Sequence, residues 1–467
     1  MAFNSLTFLI FLSSVFAVYW GLNGRLRLQN LFLLVVSYVF YGWWDWRFLL
    51  LMALSSAIDF LAGLRLGSEQ GPKKRKMWLT VSVVANLGLL GFFKYFNFFI
   101  ESAKVLLTSI GLPTSIESLN IILPVGISFY TFQTLSYTID VYRKQLTPTR
   151  SLAEFFAFVS FFPQLVAGPI ERASHLLPQF ERERKFDRKL ATNGMRLILW
   201  GLFKKMVIAD RVAIIVEQLY ADPAGCDSIM ALMAGALFAY QVYCDFSGYS
   251  DIAIGAGRLL GFELTRNFIT PFLSTSMTEF WQRWHLSLST WFRDYLYIPL
   301  GGSHGSRGRI VLNLFIIFAV SGLWHGADFH YVLWGVMCSI PLIIERLFGI
   351  RKIGQPATFL VFCLLLIMFR SSGVSSALDM YGQILAFQFN GASSIESLDL
   401  NVWETAYTFS FLLVFVIAES ILGKVDFDES ISKLKSVWRW TVYYAILLAI
   451  VLFGVMDNAP QFIYFQF

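Results

Sequence analysis

Two of the five histidines in this 467-residue chain stand where imidazole chemistry is conceivable. His325 closes the apolar run Ile310–Leu323, within Ser321-Gly322-Leu323-Trp324-His325-Gly326-Ala327. A charged imidazole at that depth is costly, so the neutral form is expected. A neutral imidazole can accept a proton from a hydroxyl. The small Gly326 and Ala327 are expected to leave room beside it for a substrate. The alternative is a structural histidine bonded to a neighbouring helix, and the pattern leaves both open. The second position is His285. On a helix over Ser276–Tyr295, Trp281, His285, Ser289 and Arg293 recur every four residues and share one stripe. Trp284, Leu288, Trp291 and Tyr295 form an aromatic and apolar stripe beside it. Such a helix can line a polar cavity with one face and pack with the other. An interfacial helix with snorkelling arginines is the competing reading.

Other signals are weaker. His325 and His330 are five apart, on different helix faces, so no metal is expected. Gly301-Gly302-Ser303-His304-Gly305 matches G-x-S-x-G, but Pro299 precedes it and a basic turn follows, so the strand-to-helix elbow of a serine nucleophile is not expected. Its amides, with Arg307 and Arg309, could touch a phosphate-bearing donor. Lys204, Lys205, Asp140, Asp245 and Asp251 are read as architectural acid–base partners, with proton relay as the minority reading.

These residues need elements to hold them, and the composition says which. Hydrophobic residues make up 56% of the chain and charged ones 15%, against about 25% charged in soluble domains. This excludes a disordered chain, a disulfide scaffold and an ordinary cytosolic enzyme. The net charge of +6 is too scattered to argue for nucleic acid. Cys226, Cys244, Cys338 and Cys363 share no metal-ligand spacing. The expectation is an all-α polytopic membrane protein, one domain over 1–467, with about ten to twelve membrane helices plus re-entrant or interfacial ones. Its candidate spans are Leu6–Leu22, Leu31–Trp46, Phe48–Leu66, Met77–Phe99, Ile229–Phe246, Ile310–Leu323, Tyr331–Leu347, Phe359–Phe369, Thr405–Leu422 and Thr441–Val455. The region Leu119–Leu219, broken by prolines and charges, reads as tilted, re-entrant or partly buried helices. The first span reads as retained rather than as a removed signal. Lys73–Lys76 is read as a cytoplasmic loop, as are Glu171–Lys189 and Asp426–Arg439, which places the N-terminus outside. Gly373–Glu404, with no lysine or arginine, reads as an external loop.

At this point a resemblance enters. Arg293-Asp294-Tyr295-Leu296-Tyr297-Ile298-Pro299-Leu300-Gly301-Gly302 followed by Trp324-His325-Gly326 resembles the membrane-bound O-acyltransferase (MBOAT) family. Phe162-Pro163-Gln164, Ala167-Gly168-Pro169-Ile170 and Tyr243-Cys244-Asp245-Phe246-Ser247-Gly248-Tyr249-Ser250-Asp251 are similar to its bacterial, alginate O-acetyltransferase-like branch. The core motifs fall within 120–335. The resemblance implies helices around a thin core, with cytoplasmic and external funnels. It implies that His325 is catalytic and that His285 is the second recurrent polar position, on the donor side. Trp281, Arg283, Trp284, Asp294 and Trp324 match the surrounding motif and, with Ser289 and Arg293, are expected along the substrate channel.

Both lines together predict transfer of an acyl group, acetyl above all, from a cytoplasmic thioester such as acetyl-CoA towards a hydroxyl of an extracytoplasmic polysaccharide. His325 would be the general base. No cofactor beyond the donor substrate is expected. A periplasmic acetyltransferase- or esterase-like partner is expected to complete the reaction, and the place is the cell inner membrane. The alternatives are D-alanyl transfer to teichoic acid from a carrier protein, a lipid or polysaccharide transporter, and a membrane scaffold.

Overall fold

The structure is a computed structural model that describes residues 1–69, 71–112, 117–166, 168–389, 400–456 and 460–465. Ala167 and the acidic pair Glu396 and Asp399 of the expected external loop lie outside them. Among the described residues every regular element is a helix. All ten apolar segments fall on helices. Among the described residues seven helices are long and apolar enough to cross a membrane: Arg47–Ser68, Pro72–Ser109, Ser228–Leu259, Arg307–His325, Phe329–Phe348, Val402–Leu422 and Ser436–Phe453. The chain is a multi-pass membrane protein. Leu6–Gly21 and Gln355–Arg370 are shorter apolar helices.

Two expected loops are helical. Pro72 stands at the first helical position, where its missing N–H costs nothing, so Lys73–Lys76 forms the first turn of the Pro72–Leu90 helix. Gly373–Glu404 opens with the helix Val374–Ala386, which buries Ala377 and Met380.

The chain divides into two compact units. The first comprises Met1–Thr192 and Ala256–Thr265. Its centre is the helix Ile127–Tyr142, buried along nearly its whole length. Asp59, fully buried, accepts from Ser82 Oγ at 2.5 Å and from Asn86 Nδ2 at 2.8 Å, and Ser82 also reaches Thr138 at 3.0 Å. This network ties three helices together. The second unit comprises Asn193–Gly255 and Arg266–Phe467. Here the helices Arg307–His325 and Phe329–Phe348 approach closely. A Cβ on Gly322 would lie 2.1 Å from the Tyr331 carbonyl oxygen, and one on Gly335 2.1 Å from that of Phe318. Small residues let helix backbones meet this way in a membrane.

Candidate active site

The second unit carries both histidines. The continuous helix expected over Ser276–Tyr295 is broken. Met277–Trp281 is one short helix and Leu286–Phe292 another, and His285 between them is left-handed, at φ 43° and ψ 55°. That conformation costs an L-residue about 1–2 kcal/mol, and distant groups impose it. The main chain of Asn267–Ile269 pairs with this turn: Leu286 N–H donates to Asn267 O at 2.9 Å and Ile269 N–H to Arg283 O at 3.0 Å. The Asn267 side chain accepts from Ser287 Oγ at 2.6 Å and donates to Ser250 Oγ at 3.0 Å. Glu345, on the Phe329–Phe348 helix, accepts from the Met277 and Thr278 amides at 2.6 and 2.9 Å and caps the first short helix.

These elements enclose a cavity of about 500 Å³ lined by His285 and His325 together. Trp281, Trp284, Ser289 and Arg293 line it too, so the fourfold stripe is brought to one space although the helix is interrupted. Leu314, Ile317, Phe318, Ser321 and His325 line it from one face of a single helix. At 1.5 Å per residue the cavity follows that helix for about 16 Å. Its lining also includes Tyr297, Ser303 and Arg346. Ser303 joins Tyr297 at 3.1 Å and Arg346 at 3.4 Å.

Both imidazoles are buried among aromatic rings. His325 meets Trp334 and Phe369 edge to face, with centroids 5.1 and 5.4 Å away, and Trp324 at 5.0 Å. His285 stands edge-on to Phe246 at 4.6 Å. The Tyr464 ring lies 5.7 Å from His325 and 6.0 Å from His285, and its hydroxyl is 3.4 Å from His285 Nδ1. His285 Nε2 and Trp281 Nε1 are buried with no hydrogen-bond partner among the described residues, and both side chains line the cavity.

Three expected channel residues do not line it. Arg283 bonds Glu279 and the Thr270 carbonyl and so braces the turn. Asp294 pairs with Arg293 at 2.7 Å. Trp324 packs on His325 and Tyr464 instead. The room expected beside Gly326 is also taken: a Cβ there would lie 2.0 Å from the Tyr331 ring, so the glycine admits a tyrosine rather than a substrate. Tyr464, Asn267 and Glu345 are the site residues that motif reading missed as such. Only the polar type of Asn267 and Glu345 in apolar surroundings hinted at them.

The family model described as MBOAT, membrane-bound O-acyltransferase family, matches residues 143–352. The chain is 42% identical to a probable alginate O-acetylase, AlgI, of Pseudomonas aeruginosa, over 83% of this chain and 75% of that protein. It is 32% identical to a peptidoglycan O-acetyltransferase of Helicobacter pylori, over 75% and 72% of the two chains. A teichoic acid D-alanyltransferase of Streptococcus thermophilus is 29% identical over 47% of this chain and 56% of its own.

Proposed function

Since the chain belongs to the membrane-bound O-acyltransferase family, we propose that this acyltransferase carries an acetyl group from a cytoplasmic thioester to a hydroxyl bound for an extracytoplasmic polysaccharide, with His325 as general base. The observation that carries the reading is one elongated cavity that holds both buried histidines and includes Arg293 and Arg346 in its lining. Its volume falls within the range of about 300–1,000 Å³ usual for small-molecule sites. The arginines suit the anionic part of a thioester donor, and the apolar walls suit its flexible arm. The relatives named as O-acetylases make a polysaccharide the preferred acceptor. Membership of an acyltransferase family leaves the transporter and scaffold readings without support.

The step balances without an external proton donor. His325 takes the hydroxyl proton as the oxygen attacks the thioester carbon. The C–S bond then breaks, and the imidazolium returns that proton to the departing thiolate. Negative charge develops meanwhile on the carbonyl oxygen. In the tautomer where Tyr464 O–H donates to His285 Nδ1, 3.4 Å away, the ring proton stands on Nε2, which has no other partner among the described residues. His285 Nε2–H and Trp281 Nε1–H are therefore the groups assigned to that oxygen. We place the enzyme in the inner membrane with its N-terminus outside, delivering the acyl group directly or through a periplasmic partner.

The test is purified protein with radiolabelled acetyl-CoA and envelope polysaccharide. His325→Ala, folded and abundant, should lose about 10²–10⁴ in kcat. Full transfer by that variant would refute the base. Label arriving only from a carrier-bound D-alanyl thioester would redirect the donor.

A further inference from the structure

Another charged group lies close to the site and takes no part in the step above. After Phe203 the chain makes a π-helical turn, Lys204–Ala209, with all six residues buried. It is brought against the Ser228–Leu259 helix at Gly201 and Gly248, where a Cβ on Gly201 would lie 2.5 Å from the Gly248 carbonyl oxygen. The turn sends two consecutive lysines inward to separate partners. Lys204 meets Asp251 and Ser247, each at 2.8 Å. Lys205 meets Asp210 at 2.8 Å and Asp245 at 2.7 Å.

An ammonium has three N–H donors. The third of Lys205 goes to the main-chain carbonyl of Pro460 at 3.2 Å. The second oxygen of Asp245, Oδ2, accepts the main-chain N–H of Ile463 at 2.8 Å. Val455 N–H donates to the Met206 carbonyl in the same π turn at 3.1 Å. Between the two anchor points, Phe462 packs on Tyr249 at 4.3 Å and on Phe246 at 5.9 Å. One residue beyond them is Tyr464, against both imidazoles.

A buried ion group that served only to join helices has no need of a particular segment outside them. This one also bonds two main-chain groups of a short segment whose next residue reaches both imidazoles. We infer that Lys205 and Asp245 are a latch that fixes the register of Pro460–Ile463 and so sets Tyr464 between His285 and His325. They are positioning residues for acyl transfer. The inference rests on the catalytic reading of that cavity, but the latch is measurable without substrate.

The experiment is hydrogen exchange by mass spectrometry on the purified full chain, paired with steady-state kinetics. In Lys205→Met the Ile463 amide should exchange about tenfold faster or more, while amides of Ser228–Leu259 hold their protection. The kcat should fall about tenfold or more, with KM for the thioester within about twofold. Lys205→Arg, which keeps charge and donors, should recover most of the loss. If Lys205→Met fails to fold because Asp210 and Asp245 are left unpaired, Lys205→Met/Asp210→Asn/Asp245→Ala removes both acids with the base and carries the same expectation. Unchanged exchange at Ile463 overturns the latch, and so does faster exchange with unaltered kcat. Either result would leave the His325→Ala outcome untouched, so the two assignments fail separately.

Discussion

A neutral imidazole accepts at one nitrogen and donates at the other, so the neighbour of the first decides the work of the second. In the cavity the neighbour of His285 Nδ1 is the Tyr464 phenol, and a phenol that donates there keeps the imidazole proton on Nε2. At His175 the neighbour is a carboxylate, and the consequence differs. Glu171 Oε2 lies 2.8 Å from His175 Nδ1 and stabilises the imidazolium, so the His175 pKa is raised above its ordinary 6.5. The sign follows. The stabilisation is fully present below 6.5 and is lost as pH rises through the raised value. With 41% of the side chain exposed, solvent screening keeps it small. An NMR titration of labelled protein should place the His175 midpoint above 6.5, and Glu171→Gln should bring it down. A wild-type midpoint at or below 6.5 would remove the pairing. At this scale the sequence was legible by residue type. His325, His285, Trp281, Ser289 and Arg293 stood out as polar or amphipathic groups in apolar surroundings. Direction was not legible: Arg283 and Asp294 share the motif yet face their own partners. Tyr464 gave no signal, because a short aromatic segment has no periodicity to read.

The elements explain why reading by helical spacing grouped residues that line one cavity although the helix between them is broken. From His285 onward, Ser289 and Arg293 follow at one-turn intervals, while Trp281 closes the preceding short helix. Neither glycine nor proline occurs between Ser276 and Tyr295, so nothing local announces the break. The left-handed turn comes from Asn267–Ile269 pairing across it, which is tertiary information. Glycines carry the opposite lesson: they announce a close approach without saying to what. Gly335→Ala puts a Cβ 2.1 Å from a main-chain carbonyl that cannot rotate away, so two helices must part. Overpacking of this kind costs about 1–3 kcal/mol or more. Gly88→Ala, on a helix with nothing within 4 Å of the new atom, should be neutral or stabilising by up to about 1 kcal/mol. Thermal unfolding in detergent should therefore move in opposite directions for the two variants. Equal losses would mean that helix packing at Gly335 is not the limiting contact.

Over the whole molecule, the ten apolar segments were legible because a bilayer demands long hydrophobic runs, whereas the helical first turn at Lys73–Lys76 was not, since charge marks a membrane side and not a loop. The same charge rule bears on the direction of transfer. Arg307 at the start of one helix and Arg346 near the end of the next line one small pocket, and Arg309, Arg351 and Lys352 follow them closely in sequence. By the positive-inside rule these five cations would put that end on the cytoplasmic side. From Arg307 to His325 the helix rises through 18 residues, about 27 Å at 1.5 Å each. That is nearly the full ~30 Å of a hydrocarbon core. Under the proposed function, a donor entering among the arginines would extend through most of the membrane to meet His325. An acceptor hydroxyl from the other side would then need only a short step. Asp328, exposed and three residues beyond His325, marks that side. With all four native cysteines buried, Ser306→Cys and Asp328→Cys give clean labelling sites. In intact cells an impermeant maleimide should modify Asp328→Cys readily and Ser306→Cys only after the inner membrane is opened. The reverse pattern would put the arginines outside, and a cytoplasmic thioester would then have no charged entrance to the cavity.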